Sequence, residues 1–300
     1  MSKQKPTLRE ILFHRYRKND LSVIEIERLY NYLEKIILEL QPFLDKNFIA
    51  RLSSDSAFAD RLYELYFISA LKNNNLSLEH KSDAGLDIWI NDISGWGEFV
   101  CAHNTLEMKK NNVQGEARIV DNDETLLRIT SVLRDKSKKI LNDVNKKRVK
   151  ENQPIILFLS TGQLIDWRPM NPKGDICSFI RAILPISEPT LMINMVTKGS
   201  RLCRKYQFGI PKKNTVVENN FFLEKQNELI SAVVFSYCSI YSRFDNPSSS
   251  FENGDDFIVV HNPLAKNPIP HGLLKCREEY VCEYEEEVSF TIQNIKDLKK

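Results

Sequence analysis

Residues 155–160, IILFLS, form a run without a single charge, and Pro154 stands directly before it. A run this short and this apolar reads as a buried central strand. Such a strand needs partners to pair with and helices to cover it, so the rest of the chain has to supply both.

The segments upstream do. Residues 22–49 place Ile24, Ile26, Leu29, Leu33, Ile36, Ile37 and Leu40 at spacings of three and four, which predicts an amphipathic helix that Pro42 ends. A second helix is expected over residues 55–72, with Ser and Asp cap candidates ahead of Phe58, Leu62, Leu65, Tyr66 and Ala70, and with Asn73, Asn74 and Asn75 closing it. LSLEHK (76–81), LDIWI (86–90) and GEFVCA (97–102) read as three strands whose short, turn-rich links make them antiparallel neighbours. A long helix follows, opening at DETLL, with an apolar face of Leu126, Leu127, Ile129, Val132, Leu133, Ile140 and Val144. The order is therefore helix, three strands, helix, strand.

Beyond residue 161 the pattern weakens. DICSFIRAILPI, TLMINMV, NELISAVVFSYCSIY and DFIVVHNPLA are further elements, residues 211–220 read as loop, and VSFTIQNIKDLKK adds a strand or a helix. With no Gly/Ser linker and no internal repeat, the chain reads as one α/β domain on a mixed central sheet. An N-terminal helical extension (1–54) and a C-terminal α/β extension (161–300) flank a core over 55–160.

Composition narrows the setting. No run of about 18 apolar residues exists, so no membrane span is expected. The start, MSKQKPTLRE, lacks the apolar centre of a secretory signal, which points to the cytoplasm. The six cysteines include no CxxC pair, and reduced, mostly buried thiols are the expected state.

Three acids fall at suggestive places. Glu64 lies inside the helix of the core, Asp87 near the start of the second strand and Glu98 near the start of the third. Carboxylates at corresponding ends of adjacent strands can converge on one hard cation, because Mg²⁺ accepts one or two protein carboxylates in an oxygen shell completed by water. Asp87 is flanked by Leu86, Ile88 and Trp89, a setting in which a charge calls for a partner. His103 and Asn104 end the third strand, and His261 and Asn262 precede Pro263 in what reads as a turn.

The element order and these positions resemble the PD-(D/E)XK nuclease-like superfamily. RLYELYFISAL, AGLDIWI, GEFVCAHN, RITSVLRDK, PIILFLS and HNPLAKNPIP are similar to a group of mostly uncharacterised bacterial proteins related to it. The resemblance covers about residues 55–160 and more weakly extends to about 270. It implies a restriction-endonuclease-like core, DNA as substrate and Mg²⁺, or Mn²⁺, as cofactor. Asp87 and Glu98 would be the two metal-binding acids, with Glu64 as the helix acid. The superfamily's lysine, two positions after the second acid, is replaced here by Val100, and Cys101 offers no positive charge in its stead. The following helix offers Arg128, Arg134 and Lys136, of which Lys136 is the candidate for a migrated lysine.

The net charge of +2 hides strong local patterning. Residues 128–150 hold nine Lys/Arg against two acids, and residues 198–213 hold six and none. Arg128, Arg134, Lys138 and Lys139 on the helix, and Arg201, Arg204 and Lys205 beyond it, are candidate phosphate contacts. Tyr206 and Phe208 are available for stacking. Six Glu between 278 and 287 oppose them. Three readings follow: a metal-dependent nuclease, an inactive nuclease fold that binds nucleic acid or a protein, and an interaction protein that dimerises through the N-terminal helices.

Overall fold

In the computed structural model the run 155–160 becomes the strand Ile155–Ser160, buried at every position, inside an eight-stranded mixed sheet. The structure describes residues 6–16, 22–54, 57–80, 85–106, 108, 122–164, 176–187, 190–193, 195–203, 206–212, 214–238, 254–286 and 289–296. Four helices come first: α1 (Leu8–Tyr16), α2 (Val23–Leu40), α3 (Phe48–Leu52) and α4 (Phe58–Asn73). Three strands, β1 (Leu78–Glu79), β2 (Ile88–Ile90) and β3 (Gly95–Cys101), lead to the long helix α5 (Asn122–Asn145) and then to β4 (Ile155–Ser160).

The C-terminal half continues this sheet. Its strands are β5 (Thr190–Ile193), β6 (Ser200–Cys203), β7 (Ile210–Lys212), β8 (Thr215–Val217), β9 (Ala232–Ser236), β10 (Ile258–His261), β11 (Glu278–Glu286) and β12 (Ser289–Asn294). The sheet order is β1-β2-β3-β4-β9-β10-β11-β12, and β5-β6 and β7-β8 stand as separate two-stranded pairs. β1, β2 and β3 are antiparallel neighbours, while β3, β4 and β9 run parallel.

Helices cover both faces, as a central strand without charges requires. Along β4 the side chains alternate: Leu157 and Leu159 pack with Leu126, Ile129, Leu133 and Ile140 of α5, whereas Ile156 and Phe158 pack with Leu65, Phe67 and Leu71 of α4. α1 and α2 lie outside α4 and share its core through Leu12, Ile26, Leu29 and Leu33. α2 starts with a capping box between Ser22 and Glu25 and stops one residue before the single turn that contains Pro42.

Several boundaries differ from the sequence reading. The helix expected from 55 begins at Phe58, and its N-cap, Ala57, makes no side-chain cap bond. The strand expected over 76–81 shrinks to Leu78–Glu79. Residues 211–220, read as loop, carry most of the β7-β8 hairpin. The acidic segment after 277, to which the sequence assigned no element, forms the nine-residue β11. There Tyr280 and Cys282 are buried, and Glu279 is buried against His261. Among the described residues no helix is long and apolar enough to cross a membrane. Cys101, Cys177, Cys238, Cys276 and Cys282 are free thiols, and all but Cys276 are buried.

Candidate active site

Antiparallel pairing of β2 with β3 decides where the two strand acids go. Ile88 faces Gly97 and Trp89 faces Trp96, so one further step sets Asp87 beside Glu98. The ladder is closed there by a side chain: Asp87 Oδ2 accepts the Phe99 N–H at 2.6 Å. Trp89 and Trp96 belong to the core beneath α5, so the even positions of β3, Glu98 among them, face that helix.

α5 answers with two lysines. Lys136 Nζ donates to Glu98 Oε1 at 2.6 Å and to the Phe99 carbonyl at 3.0 Å, and Lys139 Nζ donates to the same Glu98 oxygen at 2.6 Å. Their spacing of three puts both ammonium groups on one helix face. Glu98 is 0% exposed, and its second oxygen, Oε2, is buried without a hydrogen-bond partner.

From the opposite face α4 contributes Asp60, Arg61 and Glu64. Glu64 pairs with Arg61 at 2.5 Å, and Arg61 also reaches Asp45 at 3.4 Å. Glu64, Asp87, Lys136 and Lys139 line one cleft of about 510 Å³, together with Arg51, Asp60, Arg61, Cys101, Asp143 and Arg148, while Glu98 lies behind its wall. A recess of about 250 Å³ adjoins it and shares Arg51, Arg61, Glu64 and Asp87.

The electrostatics follow from burial and from crowding of like charges. Burial, with Asp87's charge added and Arg61 working against both, pushes the Glu64 carboxyl up to about 7. Asp87 rises to about 6, through burial first and the charge of Glu98 second, and Lys136 and Lys139 limit the rise. Burial works against the charge of Lys139, but Glu98 and Asp87 outweigh it and hold that ammonium group above its usual range. Two acids that hold their protons to higher pH, beside a third with an orphaned buried oxygen, offer the hard oxygen donors that a divalent cation such as Mg²⁺ takes. Asp87, Glu98 and Glu64 would be its ligands, but among the described residues these three do not bring their ligand atoms within 4.8 Å of one another, so a shared ion requires the side chains to move.

The other sequence candidates disperse. Arg128 Nε donates to the His103 carbonyl at 2.7 Å and so fixes the end of β3. Arg134 pairs with Glu224 at 2.8 Å, away from the cleft. Lys138 is exposed, and Lys139, expected to contact phosphate, instead reaches Glu98. Arg201 lies in β6 opposite Met192, with its side chain outside the description, and Arg204 and Lys205 lie outside the described residues. Asn104 donates to the Gln163 carbonyl and Asn262 to those of Asn227 and Ile230, so both staple loops. His261 bonds Glu279 at 2.9 Å within the sheet.

Sequence reasoning gave Lys139 a phosphate rather than Glu98 as its partner, and it missed the guanidinium groups of Arg61 and Arg148, and Asp60. The signal for Lys139 was its spacing of three from Lys136, and for Asp60 its spacing of four from Glu64. Comparison of the chain with family models, with curated proteins and with solved structures finds no match.

Proposed function

We propose that this chain is a metal-dependent phosphodiesterase of the PD-(D/E)XK type that cuts DNA. The observation that carries the reading is Lys136 Nζ at 2.6 Å from Glu98 Oε1, a positive charge delivered by α5 to the place that Val100 leaves without one. The order α4, three antiparallel strands, α5 and a parallel β4 supports a restriction-endonuclease-like core.

In this reading Asp87 and Glu98, with Glu64, hold Mg²⁺ or Mn²⁺. The bound ion supplies Lewis-acid stabilisation of charge on a phosphoryl oxygen. Lys136 offers its ammonium group to the same developing charge, and Lys139 supplies a second charged partner to the fully buried Glu98. Asp87, held by the Phe99 N–H, keeps its orientation as the cleft fills. The exposed Lys138, Lys146, Lys147 and Lys150 on and just past α5 give the backbone of a DNA strand a track of positive charge. The four buried free thiols agree with a cytoplasmic setting.

The test is plasmid cleavage in Mg²⁺ or Mn²⁺. Wild type should nick or linearise DNA, and Asp87→Asn, Glu98→Gln and Lys136→Ala should each lose ~100-fold or more in rate, the scale for removing a group that stabilises transition-state charge. An inert wild type, or Asp87→Asn cutting at the wild-type rate, refutes the enzyme reading.

One observation favours an inactive binding fold instead. Two ammonium groups already neutralise Glu98, so the buried acid is balanced without a cation. Under that reading calorimetry detects no Mg²⁺ binding, and the Asp87→Asn/Glu98→Gln double variant keeps wild-type affinity for DNA.

A further inference from the structure

A second group of metal-ligating side chains shares the cleft but uses none of those acids or lysines. Asp60 stands in the first turn of α4, Cys101 is the last residue of β3, and His103 follows two positions later. One ligand atom from each lies within 4.8 Å of the other two, and among the described residues no other three His, Cys, Asp or Glu side chains are so placed. The Asp60 and His103 side chains are 41% and 36% exposed, while Cys101 is buried.

We propose that Asp60, Cys101 and His103 form a binding site for a zinc-class divalent ion. The donor set decides the class: a thiolate and an imidazole are borderline-soft ligands that suit Zn²⁺ and Co²⁺, and Mg²⁺ does not select them. Ligands at about 2.0–2.3 Å from a tetrahedral ion stand roughly 3.4–3.7 Å apart. His103 Nε2 and Asp60 Oδ1, now 2.7 Å apart, have to part by about 1 Å, a movement that two half-exposed side chains make by rotation.

The backbone beneath them is already fixed. Cys101 pairs with Ser160 in the β3-β4 ladder, the His103 carbonyl is held by Arg128 at 2.7 Å, and Asn104 is tied to the Gln163 carbonyl at 2.7 Å. Asp60 and Cys101 line the 510 Å³ cleft, so the fourth position of the ion opens on the space where Glu64 and Asp87 stand. Three protein ligands with an open fourth position is the arrangement of a reactive zinc centre, whereas structural sites close all four.

A thiol nucleophile served by His103 fits less well. His103 is engaged with Asp60, and burial together with the charge of Asp60 keeps the Cys101 thiol protonated. An ion changes this balance by binding the sulfur as thiolate, with the thiol proton released to solvent.

The test uses the full chain, stripped with a chelator and titrated with Co²⁺. The expected result is a thiolate-to-cobalt charge-transfer band in the near ultraviolet, saturating at one ion per chain and abolished by added Zn²⁺. Cys101→Ser should remove the band, and His103→Ala should weaken binding by ~100-fold, at the upper end of what loss of a mere supporting residue costs. The Asp87→Asn/Glu98→Gln double variant should keep the band, which separates this site from the proposed nuclease centre. If wild type develops no band, or the band survives in folded Cys101→Ser, the proposal is wrong. Wild type alone decides the matter should the variants fail to fold.

Discussion

Glu98 carries both oxygens out of water, yet only one of them is answered. Nearby, burial first and the charge of an adjacent acid after it make Asp87 and Glu64 hold their protons to higher pH, and this has a consequence for stability. Glu64 titrates at about 7 when folded and near the ordinary glutamate value of about 4.3 when unfolded. Between those values the folded chain keeps a proton that the unfolded chain has lost, so stability falls as pH rises through this window and levels off above it. Asp87 adds to the fall in the lower part of the window. Chelated wild type should therefore melt at progressively lower temperature from about pH 5 to about pH 7, and Glu64→Gln should flatten that profile by roughly 1–3 kcal/mol in urea titrations. A variant with the same slope as wild type contradicts the burial of Glu64. Asp87, Glu98, Glu64 and Lys136 were legible in the sequence because a charge in an apolar strand and a cation on a helix face are local patterns. Asp60 was not, and Lys139 was given a phosphate instead of its acid, because what distinguishes them is a partner on another element: His103 for the one, Glu98 for the other.

Elements were legible where one face repeats. α2, α4 and α5 follow from apolar spacing and β4 from an unbroken apolar run; most of the residues so named are buried, but Ile24 is exposed and Ile36, Ile37 and Leu127 are only half-buried. β11 was hidden because glutamate is disfavoured in strands, and only its neighbours decide the matter: β10 on one side and β12 on the other, with Tyr280 and Cys282 turned to the core. The junction of β3 with β4 shows a constraint of backbone rather than of pattern. Trp96 N–H donates to the Pro154 carbonyl at 2.8 Å, and a Cβ on Gly95 would lie 2.6 Å from that same oxygen. Gly95→Ala must push the two strands apart exactly where the register carrying Glu98 begins, at a cost of ~1–3 kcal/mol in denaturant midpoint. An unchanged midpoint would mean that the strands do not approach so closely. At the other end of the molecule Ser22→Ala removes the hydroxyl that caps α2, a loss of about 1 kcal/mol by the same measurement.

On the scale of the whole molecule, the N-terminal helices belong to the core that α4 shares with the sheet. Ile26, Leu29, Leu33 and Leu40, the stripe that gave α2 its amphipathic pattern, are buried within the chain, and the apolar side chains of α2 left exposed include Val23, Ile24 and Leu38. A homodimer built on this region would use those positions. Removing residues 1–54 strips cover from Phe58, Leu62 and Tyr66, so the shortened chain should lose cooperative thermal unfolding by circular dichroism; a sharp, wild-type-like transition would show that the extension is dispensable. The near-neutral total charge resolves in the same way. Much of the basic helix is spent internally, on Glu98, Glu224 and the His103 carbonyl, which leaves Lys138 and the lysines just past α5 to face solvent. Strand order carries a last consequence, for how the chain assembles in time. Ile156 of β4 meets Gly97 on one side and Ala232 on the other, so the most apolar strand waits for a partner encoded far downstream. Until β9 leaves the ribosome, one edge of β4 stands open, and the sheet closes late, through a long-range encounter that is slow and invites pairing with a neighbouring nascent chain.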